Sequence, residues 1–375
     1  MKTPRKVIEL KFKAIIAFAL MLSMLMASPL QAYAEKNLEL VTTLNFNDVK
    51  PLMMSRNQAI LNNVAAYNTA NSAQGSIQTG TTDINSLMVT LSGISSADPA
   101  VNNLRAVLAA LLQAQSSIAV AQNSLSQSTD IVGVGLQTEQ ANYSIVWGIE
   151  SMYLTYNSLN YQIATMEAKV PLLQNQFKVS KLQQKLGMCT EEAVQNAQSQ
   201  LTELETGIEQ LKAAQKTIKQ TFNVNLAQSY DTAIQIKEVP DVTSDTISQI
   251  DPEKDYIEAL KKSYTVRLND SDTDKKNDAT RSFQKGFYAA YDDMLAKQKI
   301  LDSQKLKYAV ADKTFKVAEL KYKLSMLSLI QYQLAYSNFV SSKSDLAQAE
   351  DDLFKVYRVY QWATQGLIVN TSSQS

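Results

Sequence analysis

The chain has 375 residues, 45% of them hydrophobic, and its 36 basic and 36 acidic side chains leave no formal net charge. With only 10 Gly and 7 Pro it has too few turn formers for many short strands, so long helices with few connections are favoured. Histidine is absent, which excludes His-based triads, Cys–His nucleophiles and most zinc sites.

Residues 1–34 read as an export signal rather than as fold. Lys2, Arg5, Lys6, Lys11 and Lys13 form a basic start, and an apolar run follows from Ala14 to Met26. Pro29 breaks it, and Ala32 and Ala34 place small residues for cleavage before Glu35. The alternative, an uncleaved anchor, meets a run that is short for a bilayer. Losing five bases and one acid (Glu9) takes the formal charge from 0 to −4. A mildly acidic chain without basic clusters points away from nucleic acid. Beyond residue 34 no apolar run approaches the ~18 residues of a spanning helix.

A lead-in helix is expected from about Asn47 to Tyr67. The stretch from about 70 to 140 holds the apolar run Leu87–Leu91, a helix start at Asp98-Pro99 and a closing run Ile131–Leu136. Both apolar runs are readable as short strands. From Ile149 the apolar residues step by three and four: Met152, Tyr156, Leu159, Ile163, Met166, Val170, Leu173, Phe177. This is the seam of a coiled coil. It stumbles at Leu186-Gly187-Met188, after which Thr190 caps a new helix carrying Glu191 and Glu192 in its first turn. A second seam follows through Val194, Ala197, Leu201, Leu204, Ile208, Leu211, Ile218 and Phe222. Pro171 lies inside the first seam, where a kink or a break in pairing is expected.

The same hairpin recurs 138 residues later. Gly148 matches Gly286, Tyr153 matches Tyr291, and Leu182, Lys185 and Leu186 match Leu320, Lys323 and Leu324. The tip residues Gly187, Met188 and Thr190 become Ser325, Met326 and Ser328. Heptad sequences match by chance at multiples of seven, which 138 is not, so duplication is the better reading. The second lead-in helix opens at Asp251-Pro252. The chain divides accordingly into a signal at 1–34, a first repeat at 35–240 containing the extra segment, and a second repeat at 241–375. The expected fold class is mainly all-α, built from duplicated long antiparallel hairpins.

Each hairpin tip carries a small residue, a Ser/Thr three on and an Ala seven further: Gly187, Thr190, Ala197 and Ser325, Ser328, Ala335. The closing segment runs Ala349, Asp352, Leu353, Val356, Tyr360, Gly366. This pattern, in register in both halves, resembles the TolC-like outer-membrane efflux proteins from about Leu40 to Gly366. The resemblance implies a homo-oligomer, a trimer, whose hairpins form a helical tunnel, and an extracytoplasmic place in the outer membrane or at the cell surface. It also implies an adaptor or membrane-fusion protein and an inner-membrane transporter as partners, met at the tips Gly187, Met188, Thr190, Ser325, Met326 and Ser328. The family's barrel strands are largely missing. The junction Asn269–Phe283 holds Asp270, Asp272, Asp274, Lys275, Lys276 and Asp278, and cannot supply two membrane strands of ~9–11 residues. The acid that usually follows the tip Ser/Thr is replaced by Ala193 and Gln331.

Other clusters have bland readings. Asp270, Asp272 and Asp274 have the opening spacing of a calcium loop, but Lys275 and Arg281 stand where Gly and Glu are needed, so a solvated turn is expected. Glu350-Asp351-Asp352 reads as a solvated helix face, Cys189 has no base to activate it, and Trp147 and Trp362 read as packing residues. No catalytic, cofactor or metal residue is expected, and the chain reads as an export or efflux component, not an enzyme. The alternatives are a secreted structural or adhesive coiled-coil protein and a helical pore-forming protein.

Overall fold

The computed structural model describes residues 39–72 and 131–369. The expected export signal, the run Leu87–Leu91 and the helix start at Asp98-Pro99 lie outside the described residues. The order is β1 (Thr43–Leu44), α1 (Phe46–Arg56), α2 (Gln58–Ser72), α3 (Ile131–Lys185), α4 (Glu191–Asn225), β2 (Gln235–Ile236), α5 (Ser244–Ser248), α6 (Pro252–Lys262), α7 (Tyr264–Arg267), α8 (Thr273–Lys323) and α9 (Leu329–Thr364). Four of these are long, at 55, 35, 51 and 36 residues for α3, α4, α8 and α9.

The long helices form two antiparallel hairpins, α3–α4 and α8–α9, joined through α3 against α9. The order across the array is therefore α4, α3, α9, α8. Along α3 the seam residues Ile149, Met152, Tyr156, Leu159 and Ile163 are buried, as their three-four spacing requires. On the opposite face a second stripe at Ser158, Tyr161, Ala168, Leu172 and Asn175 meets α9. There Ser158 donates to Gln348 at 2.6 Å and Asn175 donates to Gln333 at 2.8 Å. The α9 side of this seam is small and polar, running Gln333, Ser337, Ser341, Ser344, Gln348, Asp351.

The lead-in helix expected as one piece is two. Asn57 separates α1 from α2: its Oδ1 accepts from the Ile60 amide at 3.1 Å, and its Nδ2 donates to Asn225 at 2.8 Å. A buried amide that must satisfy both groups holds the chain out of helix for one residue. The run Ile131–Leu136, read as a possible strand, is the first turns of α3. Leu136 is buried, and Gly135 lies so close to Tyr67 that a Cβ there would come within 3.1 Å of its ring. Pro171 does not break pairing; α3 runs through it, with Pro171 on the exposed face where the freed carbonyl can be hydrated.

The expected start at Asp251-Pro252 is present: Asp251 caps α6 by accepting from the Lys254 amide at 3.1 Å. Between α7 and α8 the chain makes only a short turn, with no strand. Among the described residues the sheet consists of β1 and β2, parallel, with Thr43 opposite Gln235 and Leu44 opposite Ile236. This pair sits at the hairpin base over Tyr153, whose hydroxyl donates to the Lys237 carbonyl at 2.7 Å. At the far end of α9, Gly366 adopts φ +88° within a Cβ's reach of the Lys262 carbonyl, which leaves no room for a side chain.

Candidate functional site

The two hairpin tips repeat one geometry at the 138-residue offset. Each outgoing helix closes with a left-handed residue, Gly187 at φ +70° and Ser325 at φ +58°. The Met188 amide reaches back to the Gln183 carbonyl at 2.7 Å, and the Met326 amide to the Lys321 carbonyl at 2.8 Å. This six-to-one bond is the Schellman ending of a helix. Thr190 then accepts from the Ala193 amide and Ser328 from the Gln331 amide. Gln331, standing where the family pattern has an acid, returns its side chain to the Ser328 amide and completes a capping box. All six tip residues singled out in the sequence are exposed; Met188 and Met326 are 71% and 69% accessible. Cys189 donates to the Ser180 carbonyl at 3.2 Å, and its counterpart is Leu327, so it fills a small apolar place.

The outer edges of the array differ from its centre in a revealing way. In α3 the stripe facing α9 is covered, with Ala168 and Leu172 at 7% and 8% exposure. Their counterparts on α8, Leu306 and Val310, are 72% and 65% exposed. Val317, Leu320 and Leu324 extend that open stripe toward the tip. On the other edge, α4 presents Gln195, Ser199, Glu203, Thr206, Gln210 and Ala213, the positions equivalent to the α9 side of the seam. Both outer faces thus repeat halves of an interface the chain already makes within itself. Their charges are opposite: residues 191–210 carry five Glu and no base, whereas residues 303–323 carry six Lys against Asp312 and Glu319.

The base of the α3–α9 seam is clamped by a buried carboxylate. Glu150 is 1% exposed and accepts from Arg358 Nη2 at 2.6 Å, Arg358 Nε at 2.9 Å and Trp362 Nε1 at 2.8 Å. The Arg358 guanidinium stacks 4.7 Å above the Trp362 ring, and Lys50 sits at a similar height over Trp362 and Tyr143. Burial, followed by the nearby Arg358, lowers the Lys50 pKa from its ordinary value. Sequence reasoning passed over this clamp. Its signal is that Glu150 is the single charge between Glu139 and Glu167 in an otherwise uncharged stretch.

The acidic triplet is not the solvated face expected. α9 is packed on two sides, so three consecutive positions cannot all reach water. Asp352 turns to α8 and pairs with Lys297 at 2.6 Å, while Asp351 enters the α3 seam at 6% exposure. The calcium-like turn is occupied by other work: Asp272 caps α8 and pairs with Lys275 at 2.6 Å, and Asp270 pairs with Lys276 at 2.5 Å. Among the described residues no cluster of three metal-ligating side chains occurs, and no helix is long and apolar enough to cross a membrane.

No family model and no curated protein matches the chain. Among solved structures, a membrane protein from Pseudomonas aeruginosa aligns at a TM-score of 0.51 and 10% identity, covering 91% of this chain and 97% of its own. The outer membrane protein VceC from Vibrio cholerae aligns at 0.49 and 10% identity, over 86% of this chain and 97% of its own. CusC, described as forming a transmembrane channel, aligns at 0.48 and 10% identity, over 89% and 98%. At 10% identity the likeness to the Pseudomonas aeruginosa protein establishes the fold alone: the chain consists of duplicated antiparallel helical hairpins, the mainly all-α architecture its sequence predicts.

Proposed function

We propose that this chain is a subunit of an export or efflux conduit of the cell envelope, in which copies join edge to edge into a helical tube. The observation that carries the reading is the pair of unmatched edges. The α3 stripe is covered by α9, and the equivalent α8 stripe is open; the α4 face equivalent to that α9 cover is also open. Placing α4 of one copy on α8 of the next repeats the internal seam, and the acidic tip half of α4 then meets the basic tip half of α8. Such a contact is head-to-tail, so repetition leads to a ring rather than to a twofold dimer. No side chain carries out chemistry in this reading; the wall does the work. The exposed tips Gly187–Thr190 and Ser325–Ser328 form the docking end, where the resemblance to TolC-like proteins implies an adaptor and an inner-membrane transporter.

A second reading, a secreted scaffold of the cell surface, is favoured by one observation: the α7–α8 turn offers no strands for an outer-membrane barrel. Light scattering on purified protein tests the tube. A closed oligomer that dissociates as salt rises supports it, because opposite charges on the two edges are screened. A monomer at all concentrations and at low salt would remove its basis.

A further inference from the structure

The seam between the hairpins holds two buried carboxyl groups with opposite circumstances. Glu150 is fully paired, as described above. Asp351 lies eleven residues further along the seam on the α3 side, opposite Tyr161, which is about 16 Å at the helical rise. It is 6% exposed, and its Oδ2 has no hydrogen-bond partner among the described residues. Tyr161 of α3 and Glu238, from the strap after β2, lie near enough to act on its charge, the hydroxyl favouring it and the acid opposing it. On its own helix Glu350 and Asp352 flank it. The bases nearby act on other acids: Lys297 of α8 pairs with Asp352, Lys305 lies toward Glu350, and the buried Lys355, one turn further along α9, is favoured in its charged form by Asp352. The strap itself is held down, since Tyr153 and Asn157 of α3 donate to the Lys237 carbonyl at 2.7 and 3.2 Å. An ionised Asp351 would therefore be a buried anion beside three acids, with no cation paired to it.

We propose that Asp351 is a protonation switch in the α3–α9 seam: neutral, it lets the two hairpins close on each other at Tyr161, and ionised, it drives that part of the seam open while the Glu150–Arg358 clamp keeps the base joined. The supporting titration is in the range a cell envelope meets. Burial, the largest influence, together with Asp352, Glu350 and Glu238, pushes the Asp351 carboxyl up to about 7. The sign follows: a carboxyl whose folded pKa is raised favours the closed seam fully below its ordinary value near 3.8, and that favour is lost as pH rises through 7. The switch lies within one chain and does not depend on the tube; in a tube it would make the wall loosen at alkaline pH.

The test uses the full chain with Cys189→Ser and spin labels on cysteines at Ala164 and Lys343, both exposed and on the two sides of the seam. Electron–electron distance measurement between pH 5 and 9 is expected to give one short distance in acid and a longer, broader distribution in alkali, with a midpoint near 7. Asp351→Asn is expected to abolish the transition and keep the short distance throughout. Two further variants move the midpoint in opposite directions without removing the carboxyl. Glu238→Gln removes an acid and lowers it, and Tyr161→Phe removes the hydroxyl that favours the ionised form and raises it. A pH-independent distance in the parent, an Asp351→Asn variant that still opens, or midpoints that do not diverge in Glu238→Gln and Tyr161→Phe would each overturn the proposal. Should Asp351→Asn fail to fold, the opposed midpoints alone decide it.

Discussion

Replacing Arg358 by Ala isolates what the buried clamp contributes. Glu150 would keep one donor, Trp362 Nε1 at 2.8 Å, and lose two charge-assisted bonds at 2.6 and 2.9 Å. Glu150 is 1% exposed, so water cannot replace the lost donors without opening the seam. Removing one partner of a buried ion pair costs ~3–5 kcal/mol, mostly because the remaining charge is stranded. The stack of Arg358 on Trp362 goes with it. The expected loss is therefore about 3–5 kcal/mol in urea unfolding followed by tryptophan fluorescence. Trp147 and Trp362, the two tryptophans of the chain, are both buried, and Trp362 is part of the clamp. If stranding is the cause, Glu150→Met with Arg358→Met restores most of the loss, to within roughly 1–2 kcal/mol of the parent. A loss below about 1 kcal/mol in Arg358→Ala would place the pair with ordinary surface bridges and refute the reasoning. So would a double variant as unstable as the single one.

Equivalent positions in the two hairpins should respond oppositely. Leu172→Ala, in the covered stripe, is expected to cost about 2–4 kcal/mol by calorimetry, whereas Val310→Ala, in the open stripe, changes the isolated chain by less than about 0.5 kcal/mol. Leu306→Asp with Val310→Asp should abolish higher assembly in light scattering while leaving monomer unfolding unchanged. At the tip, Gly187→Ala places a side chain at φ +70° and should cost ~1–2 kcal/mol, seen as an earlier urea midpoint. Stability should also fall as pH rises from about 4 to 7 by up to about 4 kcal/mol, at ~1.4 kcal/mol per pKa unit, and this slope should flatten in Asp351→Asn.

Local signals made the body of the fold legible. Thr190 and Asp251, read as caps at helix starts, each cap in the structure, and Ser328, the tip counterpart of Thr190, caps as well. The 138-residue offset, argued from side chains alone, reappears in backbone torsions and in the hydrogen bonds of the two tips. What failed was decided by contacts distant in sequence. Asn57 breaks the lead-in helix because Asn225, 168 residues away, needs its amide. Ile131–Leu136 is helix because α2 lies beside it, which β-branched residues next to glycines do not announce. Asp351 is buried because α9 has neighbours on both sides, and a helix-surface reading of Glu350-Asp351-Asp352 assumes one. The open stripe of α8, Leu306, Val310 and Val317, went unread, because it lies off the seam that the first hairpin's three-four spacing marks.

Cross-linking between copies tests the edge-to-edge account most directly. The internal contacts of Ser158 with Gln348 and Asn175 with Gln333, shifted by the repeat, place Ala296 opposite Gln210 and Lys313 opposite Gln195 of the next copy. In a Cys189→Ser background, cysteines at Gln195 and Lys313 sit on the two outer helices of one chain, too far apart to bridge within it. Under mild oxidation the account predicts a ladder of covalent oligomers that ends at a closed ring, and no ladder when either cysteine is omitted. Monomer alone, or dimers formed equally well by a single cysteine, would contradict it.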